Sequence, residues 1–330
     1  MPSQIQNLQI PDSLESKGIL FSFDFDSVGR TVVDEGQAQW SWRILALTDG
    51  RARREIEHNA TLSSDAKASL LSNDAHFQIS YEDGWLHGSI PDLLHLHYEE
   101  TERLGHLRFA LNGDFLFTGR RQPLQTLDEI RLAIEQAKLK LPNPMDLIDA
   151  YVSKLIDTFG RKIAALSKLL DSIEDRIVGD GWQDERVRLS QARRNAVLVN
   201  RQISSLGGVF RALETAHFKV FPPEMSELFR EFIQRTSALH HDIEQVQARA
   251  RLLQEEIMAK LTERSNRLLE IISIMTAVLL PATIVTGMFG MNTDGLPFAG
   301  DTYGFWLVSG VAILLAALCY FVVRRLSGRP

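Results

Sequence analysis

Residues 287–305, GMFGMNTDGLPFAGDTYGF, hold one carboxamide, Asn292, and two carboxylates, Asp294 and Asp301, between the only two long uncharged apolar runs of the chain. Oxygens of these kinds accept hydrogen bonds and, where ionised, attract cations. The stretch carries no other charged residue, so it offers nothing that resembles a general acid paired with a nucleophile. In the run that precedes it, Ser273, Thr276, Leu280, Thr283 and Gly287 recur at spacings of three and four, and all but Leu280 are small or bear a hydroxyl. On a helix they form one stripe. Such a stripe has two readings: close packing of membrane helices against each other, or the lining of a polar path.

The elements that must position these groups are the two runs themselves. Residues 271–290 and 303–323 are 20 and 21 residues long and uncharged, and a helix of that length spans roughly 30 Å, the thickness of a bilayer core. A buried core helix of this length normally keeps a polar face, so both runs read as transmembrane helices. The overall composition, 45% hydrophobic and 24% charged, conceals them because the charge is concentrated in residues 1–268. No secretory signal is legible at the N-terminus. Lys260, Arg264 and Arg267 precede the first run, and Arg324, Arg325 and Arg329 follow the second. This asymmetry predicts that residues 1–268 and the C-terminus are cytoplasmic and the short loop is external, in an inner (cytoplasmic) membrane.

Upstream, residues 1–143 mix strand and helix signals and read as a cytoplasmic α/β domain. GILFSFDF, QWSWRILAL, HFQISY and GWLHGSI are strand-like. HLRFAL-NGD-FLFTGRR reads as a hairpin in which Asn112-Gly113 supplies positive φ. SSDAKASLLSN and PLQTLDEIRLAIEQAKLK read as helices, the second opened by a Thr126-x-x-Glu129 capping box. From residue 144 to 270 the pattern is helical, a cytoplasmic stalk with helices expected at 145–178, 184–216 and 223–290. The last meets no Gly or Pro between Pro223 and Pro281, so one helix about 100 Å long is expected to run from the stalk into the first span. The remaining divisions are transmembrane helix 1 at 271–290, outer loop 291–302, transmembrane helix 2 at 303–323 and a cytoplasmic tail at 324–330. The fold class is therefore an α+β membrane protein.

The net charge of −6 and the lack of a basic stripe argue against nucleic-acid binding, and the single Cys319 excludes an intrachain disulfide or thiolate cluster. His95-x-His97 and His240-His241 are too sparse for a metal site and read as solvated surface. No Gly-rich phosphate loop, His-Glu-x-x-His or nucleophile elbow occurs. No enzyme and no permanently bound cofactor is expected.

Gly290-Met291-Asn292, at the outer end of the first of two C-terminal spans, resembles the signature of the CorA superfamily of divalent-cation transporters. Pro281 and Thr283 stand where that family carries a proline and a pore threonine. LLPATIVTGMFGMNTDGLPF is similar in detail to ZntB-type zinc transporters, with Gly295-Leu296-Pro297 and no glutamate in the loop, whereas magnesium-type members carry a Met-Pro-Glu-Leu-like loop. Met291, where a valine is common in the zinc type, follows the wider family. The resemblance implies a homopentameric funnel with Thr276, Leu280, Thr283, Gly287, Gly290, Met291 and Asn292 along the pore and Leu280 as a hydrophobic constriction. A ring of Asn292 amides would then accept hydrogen bonds from an ion's hydration shell without stripping it. Asp294 and Asp301 would form an outer electrostatic ring that concentrates cations.

Zinc as the cargo rests on that resemblance alone, because neither span contains the imidazole or carboxylate that zinc prefers. A magnesium, cobalt or nickel channel is the alternative that the intact Gly-Met-Asn favours. A membrane-anchored coiled-coil signalling or scaffold protein is the alternative of another class. Neither span holds a histidine, carboxylate, lysine or arginine to relay a proton. The expected partners are copies of the same chain, the lipid bilayer and divalent ions.

Overall fold

The computed structural model describes residues 17–33, 35–74, 76–94, 104–179, 182–217, 221–291 and 303–326. Asn292, Asp294, Asp301, His95 and His97 lie outside the described residues. The chain divides into two compact units, Met1–Leu252 and Leu253–Pro330.

The first unit is built on seven strands: β1 Ile19–Phe25, β2 Thr31–Val32, β3 Trp40–Ala46, β4 Ile79–Glu82, β5 Trp85–Leu93, β6 Leu104–Leu111 and β7 Phe115–Arg120. They form one sheet in the order β2-β1-β3-β7-β6-β5-β4. Every pairing is antiparallel except β3 with β7. A parallel pair needs a crossover, and helices α1 (Gly50–His58) and α2 (Ser64–Leu71) lie within the chain between these two strands. They cover one face of the sheet through Ala52, Ile56, Ala66 and Leu70, which pack with Ile19, Leu45, Trp85 and Ala110. On the other face, β1 and β3 stack their rings, Phe25 on Trp40 at 4.2 Å and Phe23 on Trp42 at 5.5 Å between centroids. Both indoles are buried and donate to acceptors, Trp40 Nε1 to Leu141 O at 2.8 Å and Trp42 Nε1 to Thr118 Oγ1 at 2.9 Å.

The two hairpin turns are built by different local chemistry, and one departs from the sequence expectation. The β4–β5 hairpin closes through Asp83 (φ 51°) and Gly84 (φ 77°), the pair of positive φ values that suits the twist of a two-residue hairpin. The β6–β7 turn does not use this device: Gly113 has no positive φ, and the expectation for Asn112-Gly113 is corrected. Asn112 instead accepts from Asp114 N at 3.0 Å and Phe115 N at 2.8 Å through its side chain, an Asx turn that needs no left-handed residue.

The second correction concerns helix α3 (Gln125–Glu135). Thr126 lies inside the helix, and Leu124 at the N-cap makes no side-chain cap bond, so there is no capping box. The free N–H groups of the first turn are met from another element. Asp92, fully buried near the end of β5, accepts from Thr126 N and Leu127 N, each at 3.2 Å, and from Leu93 N at 2.7 Å. Burial raises its carboxyl above the usual aspartate range despite these donors. The neighbouring Tyr151 hydroxyl is pushed well up by its own burial and by the Asp92 charge.

Helix α4 (Pro144–Val178) begins with a complete capping box, Asn143 with Asp146, and with Pro144 in the first turn, where a missing N–H is harmless. It runs beside α5 (Trp182–His217) and the first part of α6 (Pro223–Phe289). Arg235 of α6 donates to Ser153 at 2.7 Å, and Arg249 to Asp171 at 2.5 Å and to Glu174. Gln247 Nε2 donates to Ala196 O at 3.1 Å. These bonds place α6 parallel to α4 and antiparallel to α5.

The second unit contains the remainder of α6 and helix α7 (Gly304–Leu326). Helix α6 is continuous over 67 residues with Pro281 inside it, a rod of about 100 Å.

Candidate functional site

The last part of α6 and most of α7 are the described helices long and apolar enough to cross a membrane, with mean hydropathy of 2.2 and 2.4, and neither apolar window is buried within the chain. The backbone of such a segment satisfies itself along the helix, which is why an uncharged sequence keeps this form in hydrocarbon.

Burial divides α6 into two faces. Ile274, Ala277, Val278, Pro281, Ala282 and Val285 are partly covered, while Ser273, Thr276, Leu280, Thr283 and Gly287 are all exposed. At 100° per residue these two sets are centred roughly 150° apart around the helix. The stripe of small and hydroxyl residues therefore lies on the face of α6 that the single chain leaves open. Helix α7 has its own partly covered line, Val308, Ser309, Ala312, Ala316, Cys319 and Val323. Small residues dominate it, as they do where helix backbones approach closely in lipid.

The hydroxyl chemistry of the stripe is set by the helix. Thr276 donates to Ile272 O and Thr283 to Leu279 O, both at 2.9 Å. With the proton committed to the backbone, each oxygen keeps its lone pairs for outside donors. Water held by a cation presents such donors. Thr286, which the spacing argument passed over, is held in the same way, by Ala282 O at 2.9 Å and Thr283 O at 3.1 Å. It lies off the stripe, and only its residue type could have marked it.

Near its C-terminal end the helix closes through Gly290 N to Thr286 O at 2.9 Å. A β-carbon on Gly287 would meet nothing within 4 Å, so that position is open space in the single chain. The helix C-terminus brings the negative end of its dipole to Phe289–Met291, a setting that favours cations. Below the stripe, Met258, Leu261, Leu268, Ile272, Met275 and Leu279 are exposed at spacings of three, four and seven. That is the repeat of a helix seam.

The histidines do not gather. His240 faces Glu244 at 3.4 Å and His241 meets Gln245 at 2.8 Å, each one turn along α6. Among the described residues no three His, Cys, Asp or Glu groups could hold a metal ion together.

The profile of the CorA-like Mg2+ transporter protein family matches residues 37–325. The chain belongs to this family. Among its relatives, the divalent cation transporter CmaX of Pseudomonas aeruginosa is 25% identical over 229 residues, 69% of this chain and 68% of that protein. The magnesium transport protein CorA of Haemophilus influenzae is 26% identical over 317 residues, 89% and 94% of the two chains. The zinc transport protein ZntB of Photorhabdus laumondii is 23% identical over 326 residues, 94% and 95%. Magnesium-named and zinc-named members of the CorA-like family thus match this chain at similar identity. The fold agrees with solved structures: full-length CmaX superimposes with a TM-score of 0.76 at 21% identity, covering 94% of this chain and 98% of that one. The CorA magnesium transporter of Methanocaldococcus jannaschii gives 0.74 at 15%, covering 93% and 97%.

Proposed function

We propose that this CorA-like chain carries divalent cations across the inner membrane through a pore lined by the last part of α6, in a homopentamer with both termini in the cytoplasm. Two spans cannot enclose a polar path, so several copies must each contribute one helix. The observation that carries this reading is the open face of α6, where Thr276, Leu280, Thr283 and Gly287 lie opposite the partly covered line. The apolar repeat from Met258 to Leu279 gives neighbouring copies of α6 a surface to share. The basic residues flanking the two spans support the orientation. In this reading the chain is divided as composition suggests, into a sheet domain (1–143), a stalk (144–270), spans at 271–290 and 303–323, an outer loop (291–302) and a tail (324–330).

Along the path, threonine oxygens accept hydrogen bonds from the ion's water shell and Leu280 forms a dry constriction. The ring of Asn292 at the mouth holds the hydrated ion through neutral oxygens. Gly290 and Met291 shape the helix end that carries this ring. Asp294 and Asp301 concentrate cations outside. Zinc is the cargo that the loop Gly295-Leu296-Pro297 supports; magnesium, cobalt or nickel is the second reading, which Gly290-Met291-Asn292 favours.

The test is uptake of each of the four metals into proteoliposomes holding the purified protein, with native mass spectrometry to count subunits. Asn292→Ala is expected to lower uptake by about 10-fold or more in an intact pentamer, and Asn292→Asp to capture ions better but release them more slowly. Wild-type rates for all four metals in Asn292→Ala, or a dimer as the dominant species, would overturn the reading.

A further inference from the structure

A second polar site lies in the sheet domain, far along the chain from the apolar helices. A cavity of about 350 Å³ opens between the sheet and the segment that follows α2. Asn73, Asp74, His106, Arg108, Arg121 and Gln122 supply its polar walls. The sheet register explains why they meet. His106 and Arg108 are two apart on β6 and so share a face, and Arg108 pairs with Gly119, which brings Arg121, just beyond β7, level with His106.

The two guanidinium groups are held by neutral acceptors. Arg108 is buried and donates through Nη1 to Ser69 O at 3.1 Å and through Nη2 to Asp74 O at 2.5 Å. Arg121 donates through Nη2 to Ser72 O at 3.2 Å and to the Asn73 side chain. The bonds to Ser69 O and Ser72 O satisfy carbonyls at the C-terminal end of α2, a sufficient structural role for one cation. Two cations exceed that need. Among the described residues neither arginine has a carboxylate at salt-bridge distance, and the nearby Asp74 carboxylate sits 2.6 Å from His76 Nδ1. Arg121 Nε and Nη1 make no hydrogen bond among the described residues.

The surroundings register this excess positive charge. Burial and then Arg121 lower the Arg108 pKa, with Asp74 opposing them. Burial, then Arg108 and Arg121, hold the His106 imidazole below its ordinary value. His106 is stacked on Phe77 at 4.3 Å and serves as a fixed wall. A pocket with two forked cations and two carboxamides at its rim matches a tetrahedral oxyanion, whose oxygens accept several N–H groups at once.

We infer that this pocket is an oxyanion site that takes inorganic phosphate or a phosphomonoester between Arg108 and Arg121, with Asn73 and Gln122 at its rim. It is separate from the cation path, and its occupant has the opposite charge.

The experiment is titration calorimetry on the full-length protein in detergent, in metal-free buffer of low ionic strength, with sodium phosphate and in parallel glycerol 3-phosphate. One site per chain with a Kd below about 1 mM is expected. Tighter binding of glycerol 3-phosphate assigns the site to a monoester, and tighter binding of phosphate assigns it to the free ion. Arg121→Gln, at an exposed position, should weaken binding about 10-fold while the thermal melt stays in place, and Arg121→Lys should restore part of it, since lysine keeps the charge without the fork. Arg108→Gln also uncaps α2, so its binding is read only beside its melt. No saturable heat up to about 10 mM phosphate, unchanged affinity in Arg121→Gln, or equal displacement of phosphate by chloride would overturn the inference.

Discussion

Asp92 in the sheet and Thr283 in the apolar part of α6 both meet the backbone of a helix, and they do so with opposite chemistry. Asp92 brings an acceptor to three buried N–H groups, two of which, Thr126 N and Leu127 N, lie in a first helical turn that offers them no carbonyl. Thr283 brings a donor to a carbonyl that the helix already uses. The first is a structural requirement, because an unmet buried N–H is costly. The second is dispensable to the fold and leaves an outward oxygen. Asp92 is turned inward and holds two elements of the sheet domain together, whereas Thr276 and Thr283 of the apolar helix are exposed and neutral. A path for a charged cargo needs that arrangement, since a fixed charge of either sign in the span would trap or repel the ion.

Breaking the contrast at Asp92 gives the largest effect. Asp92→Ala leaves the Thr126 and Leu127 N–H groups without an acceptor and should destabilise the sheet domain by about 2 kcal/mol or more, read as a shift of its denaturant transition to lower concentration. Asp92→Asn sharpens the point. With the folded pKa raised by burial, the folded state holds its proton more tightly than the unfolded chain. The stability this contributes is complete below the ordinary aspartate range and is lost as pH rises through the raised folded value. Melts of the wild type should show that decline, and melts of Asp92→Asn should not.

Thr283→Val comes next and should behave in the converse way. The variant keeps the shape, moves stability by no more than about 0.5 kcal/mol and lowers divalent uptake about 10-fold by removing one acceptor per subunit. A normal uptake rate would assign the stripe to helix packing. The smallest effect is expected from Asp294→Asn combined with Asp301→Asn, about two- to three-fold in uptake at low metal and low salt and none at high salt, because these groups attract ions rather than hold them.

The sequence was most informative where one signal sufficed. The two apolar runs, the long helix and the strand pairs are each set by hydrophobic period and length, and their boundaries in the structure fall within a few residues of expectation. It was misleading where the deciding partner is distant. Thr126 and Glu129 have the spacing of a capping box, yet the cap comes from Asp92, 34 residues earlier. Asn112-Gly113 has the composition of a left-handed turn, yet the Asn side chain made that unnecessary. Helix α1 escaped notice because GRARREIEH buries only Ala52 and Ile56, too few apolar positions to show a period. The arginine pocket was invisible for a related reason: it requires the register of β6 against β7 and the position of α2. The stripe on α6 was legible as a stripe, but only burial on the opposite face indicates which side the single chain leaves uncovered.

Pro281 sits inside the continuous α6, on the partly covered side of the helix. Its ring carries no N–H, so the carbonyl of Ala277, one turn before it, loses the rung that every neighbouring carbonyl has, and the ring crowds that same carbonyl. A rod weakened on one side bends in one direction. The helix opens where the rung is missing and folds toward the opposite side, which is the side of Thr276 and Thr283. Pro281 therefore gives this part of α6 a preferred direction of bending, in which the residues that follow it tilt toward the side of Thr276 and Thr283.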